Sequence, residues 1–501
     1  MAIKQIVRDF SGWTSAHGIP HIGSAQNYVL RIFWTVVVVT MMALCTWQLV
    51  EIFGKFLAYD VKVQIELKFT ERYFPAVTVC NINPYKYTKV STYAPDIQRL
   101  MADYNTYLAS GTVPGNEWQF DGLAADRRLR RAREQLVLLG QKAKQQPNFT
   151  EILYHRDEII QNCAYNTAPC NVTTDFSEYV DPVYGNCFTF NFAGNPSGYP
   201  DEPVFKSTRA GPLYGLRLLL MTNQSEYLPV TDSVGIRVSV HGQGQEPFPD
   251  AFGYNAAAGF TTAYGIKFVN TTRRQLPYGN CTTDEHIGSD QMNGEHPYYY
   301  STYSVEGCFR SCFQDNIGQD CGCSDPRLGV PLNGPKPSCN KDKIMCLERF
   351  RSSGDSGFNA VTKCDYCVPS CETNDYGITI STALWPSDVF MPADCKTTSP
   401  SWTSKEKCFE WYQRNTLLVE VYYERMNYQL LSETPSYGPV NLVSDMGSQL
   451  GLWMGISVIS ILEFFSLAFI LCFYAICRKS KVGEVTDDSE DEEEEKTEAK
   501  A

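Results

Sequence analysis

GPVNLVSDMGSQLGLWMGISVISILEFFSLAFILCFYAIC, residues 438–477, is an apolar stretch of 40 residues. That is about twice what one bilayer-crossing helix needs. Its middle holds Gly455, Ile456 and Ser457, and six residues further on lies a carboxylate, Glu463. Small residues and an acid inside so long an apolar run predict a span that is unwound where it lines something wet. Irregular backbone at membrane depth survives only when buried in protein or facing water, and an ionisable group there marks a functional site by default. The plainer alternative is a span with a helix-packing glycine and an incidental glutamate.

Working outward, residues 32–50 (IFWTVVVVTMMALCTWQLV) are 19 residues without a charge. They are long enough to cross the hydrocarbon, too long for a signal-peptide core, and lack a small-residue cleavage site. Lys4, Arg8 and Arg31 precede this run, and Arg478, Lys479 and Lys481 follow the other. Basic flanks stay in the cytosol. The predicted order is a cytosolic segment 1–31, a first span 32–53, an extracellular domain 54–437, an interrupted second span 438–477 and a cytosolic tail 478–501. Both termini are then inside, as in a multi-pass plasma-membrane protein.

Composition fits this layout. Most of the formal net charge of −13 sits in the tail, where 10 acids face 2 lysines from residue 484 onward. Such a like-charge block reads as a solvated or docking segment, and nothing points to nucleic acid. Of 19 cysteines, Cys45, Cys472 and Cys477 lie in or beside the spans, and the other 16 all fall between them. An even number confined to the outside is what a disulfide framework requires. Zinc is the rival for Cys308, Cys312, Cys321 and Cys323, but C-x3-C-x8-C-x-C fits no common zinc module. Five sequons, at Asn148, Asn171, Asn223, Asn270 and Asn280, also lie between the spans.

The intervening region alternates in the manner of strands at 61–67 and 235–240, each predicted to bury one face, while 215–220 reads as a more buried strand. Residues 121–146 read as helix, and 308–371 as a loop-heavy, stapled stretch. The fold class is a membrane protein with two transmembrane helices and a large disulfide-rich α+β extracellular domain, a sheet body with peripheral helices.

Five ordered segments carry a resemblance across nearly the whole chain: His17-Gly18, FPAVTVCNINPYKY (74–87), IRVSVHGQGQEPFPDAFGY (236–254), YSVEGCFRSCFQDNIGQDCGCSDP (303–326) and LVSDMGSQLGLWMGISVISILEFF (442–465). The sequence resembles the degenerin/epithelial sodium channel superfamily. PFPDAFGY and GISVISILEF are most similar to its invertebrate branches, the degenerins and the channels gated by FMRFamide-type neuropeptides. The resemblance implies a hand-shaped ectodomain and a trimer, homomeric or with related subunits, embedded in membrane lipid. It implies a sodium-selective pore blocked by amiloride, with Na+ as permeant ion and no cofactor. Gly455, Ile456 and Ser457 match the filter, Ser444 the gating-sensitive small position, Gly451 the amiloride contact, and His17 and Gly18 an N-terminal gating motif. It further implies the pairs Cys80–Cys187, Cys163–Cys170, Cys281–Cys371, Cys308–Cys367, Cys312–Cys364, Cys321–Cys346 and Cys323–Cys339, leaving Cys395 and Cys408 as the remaining two.

Physical roles stand beside these matches. A sodium pore needs oxygen dipoles that replace part of the hydration shell, and negative charge to concentrate cations. Asp445 would ring the outer mouth and Glu463 the space below the constriction. Gly447, Gly451 and Gly455 equally read as a helix-packing stripe. Gly18 would allow a re-entrant turn supporting the pore from below.

Three constellations have ordinary readings beside functional ones. Arg128-Leu129-Arg130-Arg131 with Arg133 matches a furin-type cleavage site but lies inside the predicted helix. Glu117, Asp121, Tyr104, Tyr107, Trp118 and Phe120 form either a seat for a cationic aromatic peptide or charges over a small core. Tyr298, Tyr299 and Tyr300 form a docking patch or a strand end. No catalytic motif or metal-ligand set is visible, so the chain does not read as an enzyme. A two-span receptor without a pore would explain the ectodomain but not the broken span. An ATP-gated receptor channel would need extracellular lysines near a glycine-rich strand, which the sequence does not show. The stimulus stays open between an amidated neuropeptide, protons, force and constitutive opening.

Overall fold

The computed structural model describes residues 2–192, 205–283, 298–329, 336–351, 360–396 and 404–473. The acidic tail, Cys477 and the last residues of the second apolar run lie outside the described residues. The chain divides into two compact units, Met1–Lys62 with Thr434–Ala501, and Val63–Glu433.

The larger unit is built on two sheets. An eight-stranded mixed sheet runs in the order Val61–Phe69, Asn427–Pro435, Phe260–Thr272, Thr416–Tyr423, Leu216–Met221, Ile160–Tyr165 and Ala168–Pro169, with Glu372–Leu384 also paired to Phe260–Thr272. That last pairing is unbroken from Phe260 opposite Leu384 to Thr272 opposite Glu372. A five-stranded antiparallel sheet orders Tyr254–Ala257, Gly235–His241, Ala76–Asn81, Gly185–Phe190 and Phe176–Asp181. Every residue of Ala76–Asn81 and of Gly185–Phe190 is buried. Such strands need near-continuous apolar or hydrogen-bonded side chains, and they have them. Val77, Val79, Phe188, Phe190, Ile236 and Val238 of the small sheet share one core with Leu216, Leu218, Tyr264, Leu417 and Val419 of the large one.

Two sequence expectations about strands are corrected. The alternation at 61–67 predicts a strand with one buried face; the strand runs Val61–Phe69, and every residue of it except the half-buried Glu66 is exposed. It is the edge strand of the large sheet, and no layer among the described residues covers it. Leu216–Met221 was predicted to be the more buried strand, yet it alternates, with Leu216, Leu218 and Leu220 inside and Arg217 outside on Glu420 at 3.3 Å.

A separate helical cluster packs Pro95–Ser110 against Ala125–Ala143. The predicted helix at 121–146 is therefore shorter at both ends, because Gly122 takes a left-handed turn (φ 75°) before it. Trp118 and Phe120 are buried there, Tyr104 and Tyr107 meet Phe120 edge-on with centroids 6.0 Å apart, and the Trp118 indole donates to Asp103 at 2.7 Å. This aromatic group is a small core rather than an open seat. Glu117 accepts from Lys341 and lies 3.7 Å from Arg99. The furin-like run lies on Ala125–Ala143, and Arg131, buried, makes two bonds to Glu348 at 2.6 and 2.5 Å.

The stretch expected to be loop-heavy carries a 16-residue helix, Val305–Asp320, capped by the Ser304 hydroxyl. Apolar periodicity is weak here because cysteines supply the inward face: Cys308 and Cys312, one turn apart, bond Cys367 and Cys364. Cys321–Cys346 and Cys323–Cys339 continue the ladder, and Cys80–Cys187, Cys163–Cys170, Cys281–Cys371 and Cys395–Cys408 complete it. Seven of these pairs are those that the family resemblance implies and Cys395–Cys408 joins the remaining two, so the four cysteines weighed for zinc are consumed in disulfides. Tyr298–Tyr300 form no strand; they pack half-buried beside this helix, with the Tyr299 N–H donating to Ser311 Oγ and the Tyr300 hydroxyl accepting from Gly329 N. Among the sequons, Asn148, Asn171 and Asn280 are exposed, and Asn223 and Asn270 half-buried.

Two buried titratable groups in the small sheet oppose each other. Burial lowers the His241 imidazole to about 4, whereas burial raises the Asp181 carboxyl to about 6 against two amide donors, Val183 and Tyr184. For Asp181 the folded protein holds its proton more tightly than the unfolded chain. Its contribution is thus present below the unfolded value of 3.8 and is lost as pH rises through about 6. Asp181→Asn keeps an oxygen for both amides and removes the charge. It should stabilise the purified protein by on the order of 2–3 kcal/mol at pH 7.5 and by almost nothing at pH 4. Denaturation of both forms at the two pH values checks this, and an equal gain at both would contradict it.

Candidate functional site

The smaller unit contains one helix long and apolar enough to cross a membrane, Tyr28–Leu57, and a bent pair, Pro439–Met454 and Val458–Phe473, whose axes differ by 78°. The first span expected at 32–53 is thus the middle of a 30-residue helix.

The bend follows from three residues. Gly455 ends the upper helix in the left-handed conformation (φ 61°), with its N–H on Gly451 O at 3.0 Å and the Ile456 N–H on Leu450 O at 3.1 Å. The first bond is that of a left-handed (αL) helix cap, with Ile456 as its apolar follower. Ser457 then starts the lower helix: its Oγ accepts from the Ser460 N–H at 3.3 Å, and Ser460 Oγ accepts from the Ser457 N–H at 3.1 Å. A stop and a start are written back to back, so the amides of Gly455, Ile456, Ser457 and Ser460 all keep partners through the turn.

The N-terminal segment grips this turn. Ala2–Trp13 and Ile19–Ser24 are short helices, and Gly18 between them has φ 88°. The His17 N–H donates to Met454 O at 3.0 Å. A Cβ on Gly455 would lie 1.8 Å from His17 Nδ1, and one on Gly18 would lie 2.4 Å from Val38 of the first span. Both glycines are therefore demanded by close approach as well as by their dihedrals. Glu463 Oε2 accepts from Thr14 Oγ1 (3.0 Å), Ser15 N (2.8 Å) and Ser15 Oγ (3.1 Å). Ser15 Oγ also meets Ser460 Oγ at 2.5 Å, and Ser460 lies 3.3 Å from Ser457 Oγ. Phe10 packs on Phe464, centroids 5.3 Å apart.

The structure thus brings His17, Gly18, Gly455, Ser457 and Glu463 together, while Asp445 stands apart, accepting from the Tyr437 hydroxyl at 2.6 Å. Glu463 is a partner of the N-terminal segment, which a free acidic ring would not be. Ser444, Gly447 and Gly451 face outward, with open space around both glycines. Thr14, Ser15 and Ser460 escaped the sequence reading. The signal was the spacing Ser457-x-x-Ser460-x-x-Glu463, which puts three oxygens on one helix face. Among the described residues no cluster of His, Cys, Asp or Glu fits a metal ion.

If Glu463 anchors the N-terminal segment, Glu463→Ala should release it, with Glu463→Gln intermediate. Hydrogen exchange in lipid should show faster exchange at Ser15 in Glu463→Ala, and unchanged protection there would count against the anchor.

Comparison with known proteins bears on the whole assembly. Residues 10–467 match the family model described as amiloride-sensitive sodium channel. The degenerin-like protein asic-2 of Caenorhabditis elegans is 30% identical over 94% of this chain and 87% of its own length. Degenerin unc-8 of the same species is 40% identical over 64% of this chain but 40% of its own, and degenerin del-1 is 28% identical over 93% and 89%. Superposition on a solved proton-activated chloride channel gives a TM-score of 0.30 at 6% identity, covering 88% of this chain and 98% of that one. The chain belongs to the amiloride-sensitive sodium channel family within the degenerin/epithelial sodium channel superfamily, and is a subunit of a plasma-membrane cation channel rather than an enzyme.

Proposed function

We propose that the chain forms a trimer, alone or with related subunits, around a sodium-selective pore blocked by amiloride, with both termini cytosolic. The observation that carries this reading is the double-capped turn at Gly455-Ile456-Ser457, held by His17 and by the Glu463 network. Three copies of that turn around an axis would present backbone carbonyls and the Ser457 hydroxyl as a narrow oxygen ring. A hydroxyl has two lone pairs, so Ser457 serves as helix cap and ion ligand together. Asp445 would concentrate cations at the outer mouth, and Gly451, with open space around it, would admit amiloride. Glu463 would add charge below while holding the N-terminal segment.

The opening stimulus in this reading is an extracellular amidated neuropeptide of the FMRFamide type, supported by the wording of PFPDAFGY and GISVISILEF. The aromatic group at Trp118 and Phe120 is closed by its own core, so a peptide would dock elsewhere. Expressing the chain alone and applying acid, amidated peptides and amiloride in turn separates this stimulus from proton gating and from constitutive opening.

Charge and constriction should separate in mutants. Mobile ions screen a charge at a wide mouth over ~8 Å at physiological ionic strength. Asp445→Asn should therefore lower sodium current while leaving the sodium-to-potassium ratio almost unchanged. Ser457→Ala or Ser457→Cys should degrade that ratio, because there the ion has surrendered part of its water. Reversal potentials in sodium and potassium solutions decide; full sodium preference in both Ser457 variants would place the filter elsewhere.

Ser444 tests the gate. Ser444 is exposed in one chain, and the proposed trimer would crowd three such helices there; overpacking that contact would cost ~1–3 kcal/mol, which shifts an equilibrium by about one or two powers of ten. Ser444→Phe should hold the pore open, and an unchanged resting current at normal surface expression would contradict the placement.

A further inference from the structure

Three polar side chains meet inside the membrane where the sequence looked uniformly apolar. Gln48 is the one carboxamide in the run 32–50. The Trp453 indole N–H, on the facing helix, donates to Gln48 Oε1 at 2.7 Å and to Gln449 Oε1 at 3.1 Å. Cys45, three residues before Gln48 and buried, places its sulfur 4.0 Å from the Gln449 carbonyl. Trp47, adjacent to Gln48 in sequence, is 60% exposed instead. An indole nitrogen is a donor only, and in hydrocarbon no water can replace a lost acceptor. Polar contacts between membrane helices therefore hold orientation as well as proximity.

The position gives this contact a consequence. Trp453 lies two residues above Gly455, in the last turn of the upper helix. The same first span packs Val38 against Gly18 of the N-terminal turn, so one helix braces the break from both sides. We propose that Trp453, Gln48 and Gln449 form an intramembrane clamp that fixes the last turn of the upper helix to the first span. They act as positioning residues that set the width of the Gly455 ring and hence ion selectivity. This rests on the reading that Gly455-Ile456-Ser457 is the constriction.

The test uses the full-length channel and a readout independent of expression level, the reversal potential. Trp453→Phe keeps the ring and removes the donor, while Gln48→Leu keeps the volume and removes the acceptor. Each should reduce the sodium-to-potassium permeability ratio by about tenfold. The double variant should do no worse than either single, as expected for partners in one contact. Trp47→Phe should leave the ratio at the parent value. Independently of conduction, Gln48→Cys with Trp453→Cys in a Cys45→Ser background should cross-link within one chain with a short bifunctional methanethiosulfonate reagent that spans the length of the two lost side chains. A ratio within about twofold of the parent in both single variants, fully additive effects, or no cross-link would overturn the clamp. A parent chain that carries no sodium-selective current but still cross-links would keep the contact while overturning both the constriction reading and the selectivity role.

Discussion

The structure of the smaller unit depends on one constraint: a helix inside a membrane stops at least cost where its orphan amides and carbonyls find partners. At Gly455 the amides of Gly455 and Ile456 turn back to the carbonyls of Gly451 and Leu450, His17 takes the Met454 carbonyl, and below the turn the amides of Ser457 and Ser460 each bond the other's hydroxyl. Everything nearby is arranged around that turn. His17 reaches the Met454 carbonyl because Gly18 can reverse the chain, and Glu463 collects Thr14 and Ser15 because Ser460 and Ser457 lie on its own helix face. Replace Gly455 by any L-residue and the turn meets both an unfavourable dihedral and the His17 ring.

The extracellular unit solves a different problem. Its sheets bury a conventional apolar core, and the stretch from Val305 to Cys371 adds a smaller one, in which Ile317, Ile344, Leu347 and Phe350 pack among the disulfide-bonded Cys321, Cys323 and Cys339. Each such bond contributes ~2–4 kcal/mol by restricting the unfolded chain. Ion pairs add orientation: Arg131 on Glu348 and Lys341 on Glu117 tie the cysteine-rich helices to the helical cluster. That pairing also explains why a furin-like run is a poor guide here, since the arginine at its end is committed to a buried contact.

The break in the second apolar run was legible in the sequence because Gly, Ser and Glu are expensive in hydrocarbon, so each had to mean something. The disulfide framework was legible from the confinement of an even number of cysteines between the two apolar runs. What escaped were features that depend on who is opposite whom. Ser460, Thr14 and Ser15 are unremarkable alone and meet only when the N-terminal segment folds back. Gln48 and Trp453 are about 400 positions apart. The edge strand Val61–Phe69 has perfect alternation, yet pattern specifies a face to be covered without saying which molecule covers it. The helix Val305–Asp320 was read as loop because cysteine carries no weight in apolar periodicity, although Cys308 and Cys312 define its inner face.

The most direct measurement of the central claim is open-channel modification of single cysteines along residues 455–463 by silver ion, which is small enough to follow sodium. The account predicts rapid, irreversible block at Ser457→Cys and no block at Val458→Cys or Ile459→Cys, whose side chains point away from the turn's hydroxyl network. Block at Val458→Cys and Ile459→Cys with an unaffected Ser457→Cys channel would show that the double-capped turn is packed inside protein and that ions pass elsewhere.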